Sequence, residues 1–366
     1  MRRRRTGIAI AALDRGNMAV IIGALLALGS ADDCSYHTRE IIMSKAAIIT
    51  SFAVALFAGS AAHAQTSGAA YPNRSVKLIV GFAAGGGTDV VARLVAQRLG
   101  EGLGQNVIVE NRPGGNGTLA PDLVAKSTPD GYTLLFGASG QMAVSPAVYP
   151  KIPYQPLKDF VPVSMMSSYP LIMIVSGNHP AKNMNEFITW AKANPDKVNY
   201  GSTSPAFVLT SEMFKLRTGT PGQAIPFKSN NESVTSVIGN QVTYVIAEPP
   251  PLVPQVASGK ARALAVAADK RLPELPDVPT MKESGVDMKA ALWLGLFAPA
   301  GTPAEIVKKL EAEGQRIAKL PDFQQKLRAL STDAIGSTSA EFAKAIDADI
   351  KMWSDVHKQS GVQFEQ

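Results

Sequence analysis

The sequence predicts an α/β protein of two domains, each a mainly parallel sheet flanked by helices, with a ligand cleft between the domains. Three observations support this class. Short apolar strands alternate with helical stretches, which is the pattern of βαβ units and parallel sheets. Once a 64-residue leader is set aside, 302 residues remain, and roughly 100–200 residues per domain gives two domains. Two loops rich in glycine or serine each lie between a strand and a helix.

Residues 1–64 have the layout of a secretory leader. Lys45 precedes an apolar run over residues 46–57, and small residues end at Ala64. This is typical of a signal peptide cleaved after Ala64, and the run is shorter than the ~20 residues of a membrane span. An arginine run and a second apolar stretch lie upstream, as in a tandem signal or an uncleaved anchor. We expect instead that translation starts at Met43, and that the mature protein is periplasmic.

The composition of the remaining chain excludes several classes of protein. Seven of the 36 Lys and Arg residues and four of the 30 Asp and Glu residues lie in the leader, so the net charge falls from +6 to +3. That small charge gives no support for a nucleic-acid partner. Cys34, the only cysteine, also lies in the leader. Its loss excludes disulfides, cysteine nucleophiles and thiolate metal sites, and we expect no metal and no cofactor.

Hydrophobic periodicity predicts the elements of the mature chain. Strands are expected at 76–80, 107–109, 133–136, 171–175, 198–200, 242–246 and 263–267. Helices are expected from about residue 88 to 99, at 184–193 and 210–217, and over the C-terminal stretches 304–318, 321–330 and 339–360.

The most informative segment is the glycine-rich loop over residues 81–89, between the first strand and the first helix. Glycines allow a ligand to approach main-chain N–H groups closely. The helix is expected to begin near Thr88 or Asp89, both good N-cap residues, and a helix N-terminus attracts anions. No lysine follows the glycines as in a P-loop, and no Gly-x-Gly-x-x-Gly is present, so a carboxylate is favoured over a phosphate. The alternative is a glycine turn that only leads the chain into the helix.

A second loop carries three consecutive hydroxyl residues, Ser202, Thr203 and Ser204, again between a strand and a helix. Together with the glycine loop it predicts two anion-binding helix starts, one per domain, that face each other across a cleft. A third junction adds Ser139. The alternative for the serine loop is simple helix capping.

Catalysis finds little support. The chain has no Gly-x-Ser-x-Gly elbow and no metalloenzyme spacing of histidines and carboxylates. The two histidines outside the leader, His179 and His357, are expected in surface positions, and Trp293 and Phe297 in the core. We therefore expect a protein that is not an enzyme.

Six motifs in order resemble one known family. They are Tyr71-Pro72, residues 82–89 with Arg93, residues 110–115, residues 129–132, residues 275–280 and residues 293–303. These segments resemble the Bug receptors, the periplasmic binding components of tripartite tricarboxylate transporters. The resemblance covers nearly the whole chain from Tyr71 onward.

The resemblance implies a periplasmic-binding-protein fold of the second type, which closes on its ligand by a hinge. It implies domain I at 71–168 plus 290–366 and domain II at 169–289. One jaw would be formed by Phe82, Ala83, Ala84, Gly85, Gly86 and Thr88, and the other by Ser202, Thr203, Ser204 and Ala206. These would grip a carboxylate, often through ordered waters. The implied receptor is a monomer that delivers its ligand, an organic di- or tricarboxylic acid or an aromatic acid, to membrane permease subunits.

The sequence departs from the family pattern at Gly81, where proline is usual, and at two acidic positions occupied here by Thr243 and Ala247. Their loss favours a purely anionic or aromatic acid over an amino acid, unless the nearby Glu248 takes their place. Two other functions stay open at this point. One is a sensor that presents the bound acid to a histidine kinase, and the other is a Rossmann-type nucleotide-dependent enzyme.

Overall fold

The computed structural model describes residues 71–364. The predicted leader, with its start at Met43 and its cleavage after Ala64, lies outside these residues. Within the described range, no helix is both long and apolar enough to cross a bilayer.

The structure contains eleven strands and ten helices between residues 71 and 364. The strands are β1 Val76–Val80, β2 Val107–Asn111, β3 Thr133–Ala138, β4 Phe160–Pro170, β5 Ile172–Ser176, β6 Asn199–Ser202, β7 Gln223–Pro226, β8 Tyr244–Ala247, β9 Ala261–Val266, β10 Ala291–Pro299 and β11 Asp333–Ala334. The helices are α1 Gly87–Leu103, α2 Leu119–Ala125, α3 Ser145–Val148, α4 Met184–Ala193, α5 Pro205–Thr218, α6 Asn230–Ile238, α7 Pro249–Ala257, α8 Ala304–Ala318, α9 Pro321–Arg328 and α10 Ser339–Ser360. Short 3₁₀ turns lie at Gly115–Gly117 and Pro195–Lys197, and a π-helical turn lies at Gly140–Val144.

These strands form two sheets. The first has the order β11-β4-β10-β3-β1-β2, and the second has the order β7-β6-β8-β5-β9. The predicted α/β class with two helix-flanked sheets is confirmed. The βαβ pattern gives the parallel parts, β2-β1-β3 and β7-β6-β8. The other pairings are antiparallel, because the strands nearest the crossings run back against the parallel ones. Both sheets are therefore mixed, and the prediction that each is mainly parallel is wrong.

Strand β1 shows why the first sheet is buried on both faces. Val76, Leu78 and Val80 belong to the core cluster under α1 and α8, whereas Ile79 points into the opposite cluster. Side chains alternate with a period of two, and the apolar run 78–80 supplies both faces, while Lys77 is exposed. The cluster that contains Ile79 joins the first sheet to the second sheet, since it also contains the apolar residues of β5.

The chain passes between the two sheets twice, from Pro170 to Ile172 and from Val266 to Ala291. Backbone hydrogen bonds tie these crossings together. Leu171 N–H donates to Ala290 C=O at 3.2 Å, Ala267 N–H donates to Leu171 C=O at 2.8 Å, and Ala290 N–H donates to Ala267 C=O at 3.1 Å. The crossings therefore form one narrow, ordered junction.

Helix α10 also links the two halves. It begins with a capping box between Thr338 and Glu341, and it packs against β4 and against α5 beside the second sheet. Phe342, Ile346 and Trp353 lie at helical spacing and are buried. The C-terminal helix therefore contributes to the shared core.

Several elements were absent from the sequence prediction. Strand β4 contains two prolines, Pro162 and Pro170, which argue against a strand interior. Helix α7 begins with three prolines, which are tolerated only in a first turn. Both histidines predicted to lie at the surface are only partly exposed. His179 is half-buried against Phe187 and Trp190, and His357 is half-buried beside Phe364.

Gly295 in β10 provides a test of the core. A Cβ at this position would lie 2.2 Å from Cζ of Phe342, well inside contact distance. We expect Gly295→Ala to lower the free energy of unfolding by about 1–3 kcal/mol, because overpacking forces core side chains apart. Urea denaturation measures this. Gly140→Ala is the matched control, since a Cβ there has nothing within 4 Å; equal stabilities of the two variants would contradict the packing described.

Candidate ligand-binding cleft

A cleft opens at the C-terminal ends of the parallel strands, where the glycine loop, the serine loop and the start of α6 converge. It consists of two adjoining cavities of about 580 and 340 Å³. Four residues line both cavities: Thr88, Tyr169, Asn230 and Glu248. Open α/β sheets place ligands outside the carboxyl ends of their strands, so the position itself indicates a binding site.

The first wall is the glycine loop, and its local structure depends on Asp89. Helix α1 starts at Gly87 with Gly86 as N-cap, so the prediction that Thr88 or Asp89 caps the helix is wrong. Instead of capping the helix, the Asp89 carboxylate is directed back toward the glycine loop. It accepts hydrogen bonds from Gly85 N–H, Arg93 Nε and Asn111 Nδ2, each at 2.9 Å.

These contacts assign Asp89 a structural role. Asp89 is 2% exposed, and the hydrogen bond from the Arg93 guanidinium lowers the pKa of its carboxyl group to about 2. Asn111 Nδ2 also donates to Phe82 C=O at 3.0 Å. Together the bonds fix the loop against β2, and the carboxylate is fully engaged by the protein.

The loop leaves the amides of two cavity-lining residues available at the start of α1. Gly85 N–H donates to Asp89, and Gly86 N–H donates to Ala83 C=O at 3.4 Å. The first N–H groups of a helix have no intrahelical acceptor, which applies to Gly87 and Thr88. Thr88, which also carries a hydroxyl group, lines both cavities.

The second wall is the serine loop before α5. Ser204 is the N-cap, but its side chain makes no capping hydrogen bond, so the alternative of simple capping by this hydroxyl does not hold. Pro205 has no N–H, and the N–H groups of Phe207 and Val208 both donate to Ser204 C=O at 3.1 Å. The amide of Ala206 is therefore the one left at this helix start.

The structure brings most of the predicted residues to the cleft, but not all. Phe82, Ser139, Thr203, Ser204 and Ala206 line the smaller cavity, and Gly85 lines the larger one. The residues that line neither are Ala83, Ala84, Gly86 and Ser202. The two alanines lie on the exposed surface of the loop, while the Ser202 hydroxyl donates to Ser204 C=O at 3.3 Å. Ser139 is buried, and its hydroxyl accepts from Trp293 N–H at 3.3 Å.

Sequence reasoning missed Asn230 and Tyr169. Asn230 is the first residue of α6, whose N-cap Ser229 accepts from Glu232 N–H at 3.3 Å. The pattern Ser229-Asn-Asn-Glu232 is a capping-box signature and could have revealed this third helix start. Tyr169 lies at the end of β4 beside the crossing, and no local signal marks it.

Glu248 follows β8 and occupies the N-cap position of α7. Asn230 Nδ2 donates to Glu248 Oε1, and the Thr203 hydroxyl donates to Asn230 Oδ1 at 2.6 Å. Glu248 Oε2 is buried and has no partner among the described residues. Burial raises the pKa of Glu248, and the bond from Asn230 opposes that shift. Burial and the nearby Glu248 carboxylate also raise the pKa of the Tyr169 phenol, which therefore stays protonated at neutral pH.

The cleft supplies hydrogen-bond donors without cations. Among the described residues that line the two cavities there is no lysine, arginine or histidine. Within residues 71–364 no cluster of three or more His, Cys, Asp or Glu side chains is placed to hold a metal ion. An anion bound here would be stabilised by helix amides and hydroxyls.

Several solved structures share this architecture. The periplasmic binding protein BugD is 32% identical to this chain, covers 81% of it over 100% of its own length, and superposes with a TM-score of 0.68. A Rhodopseudomonas palustris protein solved with adipate is 33% identical over 80% of this chain and 99% of its own, with a TM-score of 0.71. MatC of the same species, solved with bound malate, is 32% identical over 78% and 99%, with a TM-score of 0.68. The fold is thus that of the periplasmic solute-binding proteins.

The family follows from the sequence. The model of the tripartite tricarboxylate transporter family receptor, TctC, matches residues 91–362, and the chain belongs to this family. The resemblance to the Bug receptors is confirmed. The family consists of substrate-binding receptors and not of enzymes.

The Asp89 cluster predicts a pH-dependent contribution to stability. We expect Asp89→Asn to lower the free energy of unfolding at pH 7 by about 1.5–3 kcal/mol, the typical value of hydrogen bonds to a charged group. Because the folded pKa of about 2 lies below the ordinary value of 3.8, the contribution is complete above about pH 4 and is lost as the pH falls toward 2.

Urea denaturation at pH 7, 5 and 3.5 measures this difference. The control is Asp347→Asn, which breaks an exposed pair with Lys351 and is expected to cost less than about 1 kcal/mol. A gap between wild type and Asp89→Asn that widens on acidification would contradict the assigned role of Asp89.

Proposed function

We propose that this protein is a periplasmic receptor that captures a small organic acid by its carboxylate, between two domains that close by a hinge, and delivers it to a tripartite tricarboxylate permease. The observation that carries the proposal is the convergence of two helix N-termini, at Gly87 and Ala206, on one cleft that has no basic residue among its described lining.

A carboxylate suits this cleft better than a phosphate does. A few amides and hydroxyls can stabilise the single delocalised negative charge of a carboxylate. A phosphate also needs a lysine, an arginine or a metal ion to neutralise it. The relatives solved with adipate and with malate support an organic acid, since both ligands carry carboxylates. The available donors are the amides of Gly87, Thr88 and Ala206 and the Thr88 hydroxyl.

The hinge is proposed at the two crossings. Domain I would comprise 71–168 plus 290–366, and domain II would comprise 169–289. The crossings at Leu171 and between Ala267 and Ala290 are narrow and meet in one backbone junction, so a small rotation there would move the serine loop relative to the glycine loop. Tyr169 and Glu248 lie near this axis and would change their distance from Thr88 least.

Two parts of the proposal, export to the periplasm and partnership with a permease, are supported by the family and by the predicted leader. The family description names a receptor of a tripartite transporter, and BugD is a periplasmic protein. The predicted signal peptide is consistent with the same compartment. A monomeric receptor that shuttles between free and permease-bound states fits these features.

A calorimetric or thermal-shift screen tests the proposal. The exported protein is titrated with mono-, di- and tricarboxylates, aromatic acids and amino acids, with a sugar and a nucleotide as controls. A ligand present at one hundred times its Kd stabilises the folded state by about 2.7 kcal/mol. A response to the sugar or the nucleotide and to none of the acids would show that the proposal is wrong.

Thr88 provides a local test. We expect Thr88→Ala to weaken binding of the best acid from that screen by about 10- to 100-fold, because a hydrogen bond to a charged group contributes about 1.5–3 kcal/mol. Thr88→Ser keeps the hydroxyl and should stay within about threefold of wild type. Thr189→Ala, an exposed threonine on α4, is the matched control. Isothermal titration calorimetry gives the constants, and equal Kd values for Thr88→Ala and Thr189→Ala would exclude Thr88 from the site.

A further inference from the structure

We propose that the acid captured by this protein carries, away from its carboxylate, a hydrogen-bond donor that binds Glu248 Oε2. The inference rests on the proposed function and narrows its substrate class. The preferred ligands are hydroxy acids or amino acids, and unsubstituted dicarboxylates are poor ligands.

The first observation is the unpartnered oxygen. Several buried polar side-chain atoms of the described chain have no partner, and Glu248 is the residue among them that lines both cavities. A buried acceptor without a donor costs about 1–3 kcal/mol, and more when it is charged. An oxygen of this kind at the wall of a cleft is satisfied when a ligand donor reaches it.

The second observation is that the protein holds Glu248 in place and leaves Oε2 unsatisfied. The Thr203 hydroxyl donates to Asn230 Oδ1, and Asn230 Nδ2 donates to Glu248 Oε1. Rotating the amide would place Asn230 Oδ1 against Glu248 Oε1, and two acceptor oxygens cannot bond to each other, so the Glu248 carboxylate fixes the amide in this orientation. Glu248 Oε1 is therefore engaged by the protein, and Oε2 is positioned as a fixed acceptor.

The third observation concerns charge. The residues that line both cavities with Glu248 are Thr88 from α1, Tyr169 from β4 and Asn230 from α6, and none of them is a cation. A second ligand carboxylate beside Glu248 would place two like charges together in a partly desolvated site. An ammonium group would neutralise Glu248, and a hydroxyl group would donate to it without adding charge.

The helix starts and Glu248 thus bind opposite kinds of ligand group. The helix starts at Gly87 and Ala206 offer donors to an acceptor, while Glu248 offers an acceptor to a donor. A ligand that matches both has a carboxylate at one position and a hydroxyl or ammonium at another. This polarity also fixes the orientation of the ligand in the cleft.

The test uses acids of equal length that differ only at the distal group. Succinate, 4-hydroxybutyrate and 4-aminobutyrate form one such series, and the corresponding three-, five- and six-carbon series cover other spans. Malate and aspartate add the donor at an internal carbon. For at least one spacing, we expect the hydroxyl or ammonium acid to bind wild-type protein at least tenfold more tightly than the dicarboxylate of the same length. The hydroxyl and ammonium arms identify which donor is used.

The variant Glu248→Gln reverses the chemistry of the site. Its side-chain carbonyl can still accept from Asn230, so its NH₂ group replaces Oε2 and becomes a donor. We expect the preference for the donor-bearing acid to fall at least tenfold and the affinity for the dicarboxylate to rise. Glu212→Gln is the matched control, because Glu212 is a buried carboxylate bonded to Tyr200 and Lys215 that does not line the two cavities of the cleft.

The outcomes separate the two proposals. If acids bind but the dicarboxylates equal or exceed the donor-bearing acids in every series, the role of Glu248 is wrong and the carboxylate receptor stands. The role of Glu248 is equally wrong if Glu248→Gln keeps the wild-type ratio while its thermal transition shows a folded protein. If no acid of any series binds, the proposed function itself fails.

Discussion

The backbone junction between the two sheets is the constraint on which the cleft depends. Leu171, Ala267 and Ala290 bond to one another, so the chain leaves and re-enters the first sheet at one place. Each sheet then presents the carboxyl ends of its parallel strands to the same space, and the loops that follow β1 and β6 line that space. The proposed hinge movement about this junction would change the width of the cleft while the loops keep their internal hydrogen bonds.

The described lining of the cleft would stabilise an anion through amide and hydroxyl dipoles and not through a cation. This has structural consequences. A helix start attracts a ligand only if its amides are free, and both loops arrange this by occupying the neighbouring groups. Asp89 engages Gly85 N–H, and Ser204 C=O engages Phe207 and Val208. The engaged groups hold the shape of each loop, and the remaining amides are left for the ligand. Attraction by amides and hydroxyls is weaker than attraction by a cation, as suits a receptor that must release its ligand.

The sequence was most informative where a local pattern determines the structure. Strand β1 and helix α10 have the predicted bounds because their periodicity is regular and their ends are marked by glycine or a capping box. The glycine loop was recognised as a helix start, but its N-cap was misplaced. Asp89 is drawn back by Asn111, a residue of the neighbouring strand whose proximity no local pattern encodes.

The same distinction explains which site residues could be predicted. Thr88 and Ser204 follow from the rule that ligands bind at strand-to-helix junctions. Tyr169 depends on the path of β4 into the crossing, and β4 was obscured by its prolines.

Glu248 shows how the position of a single acidic residue changes the ligand that is expected. The resemblance to the Bug receptors implies acidic residues at the positions that hold Thr243 and Ala247 here, and their loss alone favours a purely anionic ligand. Thr243 lies away from the cleft, where its hydroxyl donates to Lys197 C=O at 2.8 Å, and Ala247 is buried. The next residue, Glu248, lines both cavities, and its carboxylate accepts a hydrogen bond from Asn230. A negative group thus remains in the cleft at a new position, and charge repulsion there argues against a second carboxylate on the ligand.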